Sequence, residues 1–282
     1  MNKFISLLLC LATCFSLIAQ APPSISKIKL GGWQKERLAP GLKWKQLTRD
    51  DLFGTNQNLN VLEIDLRKRK LVLAYESTLR KPTSEFARKN EALAAVNAGF
   101  FDMKRGGSVT YLKVAGKLIN QTPPEVKVRG SVALKGVFVI EKDEDLRIES
   151  SENEAFLRDS SIHDALVTGP FLLDDGLVIP LDSIAFNNNR HPRTCACLTK
   201  KGKLLLLTVD GRNEQARGMS LPELTQVLQK LNCWDAVNFD GGGSTTMYIK
   251  DKGPNGVVNR PSDNKKFDPY GERKVANALL IF

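Results

Sequence analysis

Residues 240–245 have the spacing best suited to chemistry in this chain: an aspartate, three consecutive glycines, a serine and a threonine. Consecutive glycines cost conformational entropy, so they indicate a backbone requirement such as a sharp turn or a close approach. Without Cβ atoms the chain can direct successive N–H groups at an anion, and the following hydroxyls add donors. The alternative is a tight turn that joins two strands. The predicted anion-binding residues are Gly241, Gly242, Gly243, Ser244 and Thr245.

Two aspartates, Asp240 and Asp210, each follow an apolar strand pattern. An unpaired carboxylate at such a position is energetically unfavourable, so each carboxylate needs a partner or a function. A structural role, paired with arginine or with N–H groups of a turn, explains either one alone. Two neighbouring carboxylates also suit glycoside cleavage, one as general acid or base and the other as base or nucleophile. We therefore predict that both are catalytic.

Three arginines and two asparagines complete the predicted site. Arg193, Arg212 and Arg273 can hold a phosphate through planar, bidentate hydrogen bonds, although surface ion pairs explain each one alone. Asn97 and Asn238 can donate hydrogen bonds to sugar hydroxyls. We therefore predict that this set binds a substrate that contains both a phosphate and a sugar.

Phe100 or Phe101 can stack on a sugar ring, with packing in the core as the alternative. The chain lacks the GK[ST] ending of a nucleotide P-loop, a GxSxG nucleophile turn, an HExxH motif and an EF-hand loop. We predict no cofactor, although the aspartates could hold Mg²⁺ or Ca²⁺ weakly.

The candidate residues lie in four short segments that share one design, in which polar residues and glycines follow or border a strand. These segments are residues 96–102, 191–194, 209–213 and 238–246. Strand ends and their loops are where a rigid sheet can present reactive side chains. Four such segments predict a single convergent site.

The surrounding pattern is rich in strands and contains few helices. Predicted hairpins comprise residues 60–66 with 70–75, 111–119, and 194–199 with 204–209. Further predicted strands are 94–101, 131–140, 165–167, 171–179, 235–239, 246–249 and 275–282, and residues 30–58 read as loops and an edge strand. A helix over 220–231 begins with a Ser220–Glu223 capping box, and Thr83 or Ser84 caps a short helix that ends at Lys89. The fold class is therefore α+β, a single domain around a mixed or mainly antiparallel sheet.

Residues 1–21 have the layout of a secretory signal peptide. A basic start precedes an apolar run over residues 4–18, and small residues at Ala19 and Ala21 offer cleavage positions. Residues 22–282 then form the mature domain, exported to the periplasm or secreted. The residues before Cys14 loosely resemble a lipoprotein cleavage site, and no other stretch is long and apolar enough for an integral membrane segment.

The distribution of charge limits the kinds of partner that the chain can bind, and the number of cysteines limits its disulfides. The formal net charge is +10, but the basic residues are dispersed and lack interleaved aromatics, so we predict no nucleic-acid partner. Cys195 and Cys197 alternate along an apolar strand and are interpreted as buried thiols, with one bridge to Cys233 as the alternative. An odd number of cysteines after signal cleavage excludes a full disulfide framework.

At these residues the chain resembles the phosphodiester glycosidase family, which includes the uncovering enzyme of lysosomal targeting. The matching segments are VNAGFFD (96–102), TGPFLL (168–173), HPRT (191–194), DGR with GMSLPEL (210–224), AVNFDGGGSTTM (236–247) and NRPSD with ERKVANAL (259–279). They cover most of the chain from residue 62 onward. Asp102 and Thr168 lie in these segments and join the predicted substrate-binding set.

The resemblance implies hydrolysis of a sugar-1-phosphodiester to a free sugar and a phosphomonoester. The partner is then a sugar phosphodiester or another anionic glycan. Two alternatives remain at this point. One is a non-catalytic envelope protein that binds anionic glycans, and the other is a phosphodiesterase that releases a sugar phosphate.

Overall fold

The computed structural model describes residues 28–122 and 132–282. The predicted signal peptide and Cys14 lie outside these residues, as does Ser131 at the start of a predicted strand. In chain order, the described elements are β1 (Gln34–Ala39), β2 (Leu42–Leu52), β3 (Thr55–Asp65), β4 (Leu71–Tyr75), β5 (Lys81–Pro82), α1 (Thr83–Lys89), β6 (Ala94–Asn97), β7 (Leu112–Val114), β8 (Lys117–Asn120), β9 (Gly136–Glu141), β10 (Leu146–Ser150), β11 (Ile162–Thr168), β12 (Phe171–Asp174), β13 (Leu177–Val178), α2 (Ala185–Asn188), β14 (Arg193–Thr199), β15 (Lys203–Val209), α3 (Leu221–Lys230), β16 (Cys233–Asn238), β17 (Met247–Ile249), β18 (Lys274–Val275) and β19 (Asn277–Ile281).

Three sheets and a two-stranded ribbon organise these strands. The largest sheet has eight strands in the order β1-β2-β3-β15-β14-β16-β12-β13. A five-stranded sheet has the order β10-β9-β11-β7-β8, a four-stranded sheet the order β17-β6-β19-β4, and β18 pairs with β5. Neighbouring strands in all of them run antiparallel. The predicted α+β fold with a mainly antiparallel core, in one domain, is confirmed.

The eight-stranded sheet separates two cores. Leu204 and Leu206 of β15 pack with residues of the two smaller sheets, whereas Leu205 and Leu207 pack against α3. Side chains of a strand alternate between its faces, so the four consecutive leucines 204–207 of β15 serve both cores. Among the described residues, no helix has the length and apolar character that crossing a membrane requires.

Elements with strong local signals form as predicted. Ser220 Oγ accepts a hydrogen bond from the Glu223 N–H at 3.3 Å, and the Glu223 carboxylate accepts one from the Ser220 N–H at 2.9 Å. Asn232 follows α3 with φ 61°, a left-handed conformation that asparagine tolerates better than most residues. The predicted β14–β15 hairpin is also confirmed, with Arg193 opposite Val209.

Four predicted details are wrong. Residues 30–58, predicted as loops and an edge strand, form β1, β2 and the first residues of β3 in the eight-stranded sheet. β3 and β4 do not pair, because β3 lies between β2 and β15 whereas β4 pairs with β19. The strand predicted over 94–101 ends at Asn97, whose side chain makes contacts across the sheets. Neither Thr83 nor Ser84 caps α1; instead, the Glu272 carboxylate accepts hydrogen bonds from the Ser84 N–H and hydroxyl at 3.0 and 2.6 Å.

The cysteines differ from the favoured interpretation. Cys197 of β14 forms a disulfide with Cys233 at the start of β16, with 5.7 Å between their Cα atoms. The interpretation of Cys197 as a thiol is therefore wrong, and the alternative bridge to Cys233 is present. Cys195 is a buried free thiol, and its burial raises the thiol pKa above the usual range.

Candidate functional site

The predicted site lies where four strand ends meet. Because β14 is antiparallel to both of its neighbours, its first residues lie opposite the last residues of β15 and β16. Asp210 follows β15, and Asn238 ends β16. Asn97, at the end of β6, joins this edge from the four-stranded sheet. Three of the four predicted segments thus follow the last residues of a strand at this edge. The fourth, residues 191–194, leads into β14 at the same edge.

Asn97 connects the two sheets to the loop after β16. It is buried, and its Nδ2 donates to the backbone carbonyl of Asp240 at 2.6 Å. Its Oδ1 accepts hydrogen bonds from Thr194 Oγ1 at 2.8 Å and from the Thr246 N–H at 3.0 Å. Both polar atoms of this amide are therefore engaged in positioning the loop, and the predicted contact between Asn97 and a sugar has no support.

The three glycines let neighbouring groups approach the backbone closely. Gly242 has φ +64°, and a Cβ there would lie 2.9 Å from Arg212 Nη2. A Cβ on Gly243 would overlap both Asp263 Oδ1 and Arg273 Nη2, and one on Gly241 would lie 2.7 Å from the Pro192 carbonyl oxygen. A side chain at any of the three positions would displace a neighbour. The requirement for glycine is therefore close packing of two arginines and a carbonyl on the loop.

The loop's N–H groups are mostly used within the protein. The N–H of Gly242 donates to Pro192 O at 2.8 Å, that of Ser244 to Gly241 O at 3.3 Å and that of Thr245 to Gly242 O at 3.2 Å. These three groups do not form the predicted N–H cradle for an anion. Within residues 28–122 and 132–282, the buried hydroxyls of Ser244 and Thr245 make no hydrogen bond to another protein group.

Arg212 and Arg273 supply the positive charge at the loop. Arg212 is exposed and has φ 63°. Arg273 makes a bidentate ion pair with Asp263, with Nε–Oδ2 and Nη2–Oδ1 distances of 2.9 and 2.5 Å. The hydrogen bonds that Arg273 donates to Asp263 raise the pKa of Arg273, burial opposes this, and the charges of Asp263 and then Asp240 raise it further. Asp240 therefore lies within electrostatic reach of the Arg273 guanidinium, beside the glycines.

Asp210 has a different environment from the one predicted. Its carboxylate is buried and accepts three hydrogen bonds, from Asn58 Nδ2 at 2.6 Å, Asn259 Nδ2 at 2.9 Å and the Arg260 N–H at 2.9 Å. Burial raises the pKa of Asp210, while these hydrogen bonds act to lower it. Asn259 Nδ2 also donates to Thr245 O at 3.0 Å. The geometry favours a positioning role for Asp210 over the predicted catalytic role.

The Arg193 guanidinium points into the protein. It is buried and donates to the carbonyls of Met219, Phe186 and Asn189 at 2.9, 2.7 and 3.0 Å. It also lies over the Phe186 ring, 5.0 Å from its centroid. Burial lowers the pKa of Arg193 to about 9. Three of its N–H groups hold backbone segments, so the predicted role in phosphate binding is not supported.

Four other predicted binding residues have structural contacts. Phe101 packs in the small core beside α1. Asp102 Oδ1 accepts from the N–H groups that follow it in its turn, at 2.7 and 2.9 Å. Thr168 Oγ1 donates to Asn238 O at 3.1 Å, and Asn238 Nδ2 donates to the carbonyls of Gly169 and Phe239 at 2.9 and 2.6 Å. The described contacts of these four residues are thus structural.

Four residues that contact the site were not predicted from the sequence: Asn58, Asn259, Arg260 and Asp263. The last three belong to the segment NRPSD, whose match to the family was the available signal. Asn58 had no signal, because it lies far from the other residues in sequence and is brought to Asp210 only by the β3–β15 pairing.

Carboxylates cluster elsewhere as well. In the described part of the chain, oxygens of Asp174, Asp175 and Asp235 come within 4.8 Å of one another. Asp235 lies near the start of β16, at the opposite end from Asp240. This cluster is thus distinct from the aspartates predicted to bind Mg²⁺ or Ca²⁺ weakly.

The sequence of this chain matches one protein family and is similar to several individual proteins. Residues 90–282 match the phosphodiester glycosidase family. The human N-acetylglucosamine-1-phosphodiester alpha-N-acetylglucosaminidase is 29% identical over 202 residues, which cover 66% of this chain and 36% of the human protein. The bovine enzyme of the same name is 27% identical over 196 residues, which cover 67% and 36%. The chain thus spans about a third of the length of these relatives.

Solved structures share the fold. The catalytic domain of zebrafish N-acetylglucosamine-1-phosphodiester alpha-N-acetylglucosaminidase, auto-inhibited by its pro-peptide, is similar with a TM-score of 0.67 and 23% identity over 88% of this chain and 87% of that one. A hypothetical protein from Synechocystis has a TM-score of 0.66 and 16% identity, over 94% and 64% of the two chains. At these identities the structural similarity establishes the fold alone.

Proposed function

Because the chain belongs to the phosphodiester glycosidase family, we propose that it hydrolyses the glycosidic bond of a sugar-1-phosphodiester resembling N-acetylglucosamine-1-phosphodiester. The products are a free sugar and a phosphomonoester. The observation that carries this proposal is the approach of Arg212 and Arg273 to successive glycines directly after Asp240. The loop thus brings two guanidinium groups close to the backbone that follows the Asp240 carboxylate.

The arginines suit the leaving group of this reaction. When the bond between the sugar C1 and the phosphate oxygen breaks, its electron pair stays on the phosphate. Guanidinium groups bind phosphate oxygens with two parallel hydrogen bonds and stabilise the charge that develops there. A phosphomonoester is already a good leaving group, so Arg212 and Arg273 reduce the need for a strong general acid.

Asp240 supplies the carboxylate for the sugar side of the reaction. It acts either as the base that accepts a proton from the attacking water or as the nucleophile at C1, after which water releases the sugar. In both cases the water oxygen ends on the sugar, and its second proton ends on the phosphate. The charge of Asp240 acts to raise the pKa of Arg273, so the two groups lie within electrostatic reach of each other.

Asp210 holds the floor of the site in this proposal. Through Asn259 its carboxylate is linked to the carbonyl of Thr245 and, through Asn259 Oδ1, to the N–H of Met247 at 2.8 Å. Hydrogen-bonded support of this kind keeps reactive groups within the small tolerance that catalysis demands. Asp210 is therefore a positioning residue.

The place of action in this proposal is outside the cytoplasm, in the periplasm or in the medium, following cleavage of the segment 1–21. The support is the basic, apolar and small-residue order of that segment. Sequencing the N-terminus of the protein recovered from the culture medium or periplasm tests it. A chain that starts at Gln20 or Pro22 is expected, and a cell-associated chain that retains Met1 would contradict export.

The experiment that tests the reaction uses the p-nitrophenyl ester of α-N-acetylglucosamine-1-phosphate in water enriched in ¹⁸O. The expected products are N-acetylglucosamine that carries ¹⁸O and p-nitrophenyl phosphate that does not. Release of p-nitrophenol with N-acetylglucosamine-1-phosphate would identify a phosphodiesterase instead. Saturable binding of the ester without any product would identify an anionic-glycan-binding protein.

A further inference from the structure

A cavity lies at the end of the large sheet opposite the glycine loop. Its volume is about 750 Å³, within the range of small-molecule binding sites. Its lining includes Thr199 and Lys203, which flank the turn between β14 and β15. β14 has six residue steps from Arg193 to Thr199, so this cavity is roughly 20 Å from the glycine loop. The two sites therefore share no residues.

The cavity exists because α3 ends before the sheet does. α3 covers the sheet face near the first site, and its last turn and Asn232 form one wall of the cavity. The chain then reverses at Asn232 and enters β16, which supplies Cys233 and Trp234 to the opposite wall. The disulfide from Cys233 to Cys197 joins the two strands below. The cavity is thus framed by regular elements.

The charge of this cavity is positive and incompletely paired. Glu63 lies 2.5 Å from Lys45 Nζ, 2.9 Å from Lys203 Nζ and 3.7 Å from Lys43 Nζ, so three ammonium groups share one carboxylate. Lys200 and Lys201 also line the cavity. A focused positive potential in a concave surface attracts anions.

Trp234 gives the cavity an aromatic wall. Its indole N–H donates to Asp175 Oδ1 at 2.9 Å, which fixes the ring. Lys200 Nζ lies over the same ring, 4.3 Å from its centroid. Amide and hydroxyl groups of Gln229, Asn232 and Thr199 complete the lining. The Trp234 ring positions Lys200, amides and hydroxyls pair with the hydroxyl groups of a sugar, and lysine pairs with an acidic substituent.

From these contacts we infer that the cavity bounded by Lys45, Lys200, Lys203 and Trp234 binds a short anionic saccharide. It holds the saccharide at a site separate from the reaction, about one sheet length away. A cavity of this size accommodates a few sugar units, which favours a saccharide over a nucleic-acid backbone. Such a site would retain the enzyme on an acidic polymer while the glycine loop acts on its own substrate.

The test measures binding of tetragalacturonate by isothermal titration calorimetry, with neutral maltotetraose as the reference ligand. The double variant Lys200→Gln/Lys201→Gln should bind tetragalacturonate about tenfold more weakly than the parent protein. The charge-matched pair Lys117→Gln/Lys142→Gln lies at exposed positions, in β8 and in the turn after β9, and should bind normally. Added salt should weaken binding to the parent protein.

Further variants and ligands separate loss of binding from loss of folding or of activity. Trp234→Ala should also weaken binding, and its melting temperature establishes whether it folds. Hydrolysis of the sugar phosphodiester should be unchanged in Lys200→Gln/Lys201→Gln, since these lysines are far from the glycine loop. Equal losses in both lysine pairs, equal binding of maltotetraose, or no heat with tetragalacturonate at millimolar concentration would overturn the inference. Tighter binding of an oligothymidylate with the same dependence on Lys200 and Lys201 would also overturn it.

Discussion

Asp240 and Asp210 both follow a strand that ends at the glycine loop, but their carboxylates have different neighbours. Asp210 accepts three hydrogen bonds from buried protein groups, whereas Asp240 lies beside the Arg273 guanidinium and the loop. Three protein donors hold the Asp210 carboxylate in place, whereas the proposed mechanism gives the Asp240 carboxylate the reacting role. The two residues should therefore respond differently to the same substitution.

Replacement of Asp240 by Asn should lower kcat for sugar-phosphodiester hydrolysis by roughly 10²–10⁴-fold, because an amide can act neither as base nor as nucleophile. The melting temperature should change little, since the amide keeps the shape of the side chain. Asp50→Asn, at an exposed position far from the loop in sequence, serves as the control. Near-normal turnover by Asp240→Asn would remove this residue from the mechanism.

Replacement of Gly243 by Ala tests the packing of arginine on the loop. The new Cβ would overlap the Asp263–Arg273 ion pair and displace the guanidinium, and a displacement of about 1 Å can cost about 10²-fold in rate. Binding of inorganic phosphate, measured by calorimetry, should weaken as well. Gly31→Ala is the matched control, because a Cβ there meets nothing within 4 Å. Equal phosphate affinity in both variants would show that Arg273 does not contact the anion.

At the scale of elements, structures that a short stretch of sequence specifies were predicted correctly, whereas the pairing of strands distant in sequence was not. The capping box of α3 and the β14–β15 hairpin are encoded within about fifteen residues each, and both were predictable from sequence. The partner of β4 is β19, just over two hundred residues away, and no local pattern specifies that choice. The same limit applies to Arg193, whose arginine type suggested phosphate until the carbonyls around it were located.

The disulfide links the neighbouring strands β14 and β16, and its contribution to the free energy of unfolding can be measured. It joins residues 36 apart in sequence, so its loss should lower the free energy of unfolding by about 2–4 kcal/mol. Urea titrations of the parent protein and of Cys197→Ala/Cys233→Ala measure this difference. Cys195→Ala controls for loss of a buried sulfur without a bridge. Identical unfolding curves for the parent protein with and without reductant would contradict a stabilising disulfide.

Glu63 connects β2, β3 and β15 through its lysines and should make stability depend on pH. Burial acts to raise its carboxyl pKa, but hydrogen bonds from Lys203 and Lys45 hold the pKa at about 2, below the ordinary 4.5. A lowered folded-state pKa stabilises the protein above pH 4.5, and this contribution is lost as pH falls toward 2. The difference in melting temperature between the parent protein and Glu63→Gln should therefore shrink over this window.

The exposed pair of Glu144 with Lys70, 3.3 Å apart, provides the control for that measurement. Glu144→Gln should differ from the parent protein by a small and constant amount over the same pH window, because exposed ion pairs contribute little. If the two variants followed the same pH dependence, the lysine cluster around Glu63 would not be responsible.

At the scale of the whole molecule, the candidate site coincides with a polar junction between the sheets. Asn60, Thr208 and Thr194 lie side by side on β3, β15 and β14, and Thr194 reaches Asn97 on the four-stranded sheet. These residues are buried at the end of an otherwise apolar core. The sequence predicted each polar residue at a strand end, but not that their hydrogen bonds join the sheets, because that depends on packing between distant segments.

Asn97→Ala should therefore reduce stability and activity together. Its three hydrogen bonds connect Thr194, Thr246 and Asp240, so their loss should lower the free energy of unfolding by roughly 1–3 kcal/mol and loosen the loop that carries Asp240. Asn120→Ala removes an amide that bonds only within its own region and should leave kcat unchanged. Urea unfolding and hydrolysis are measured on both variants. If Asn97→Ala lost stability but kept full turnover, the junction would support the fold without positioning the site.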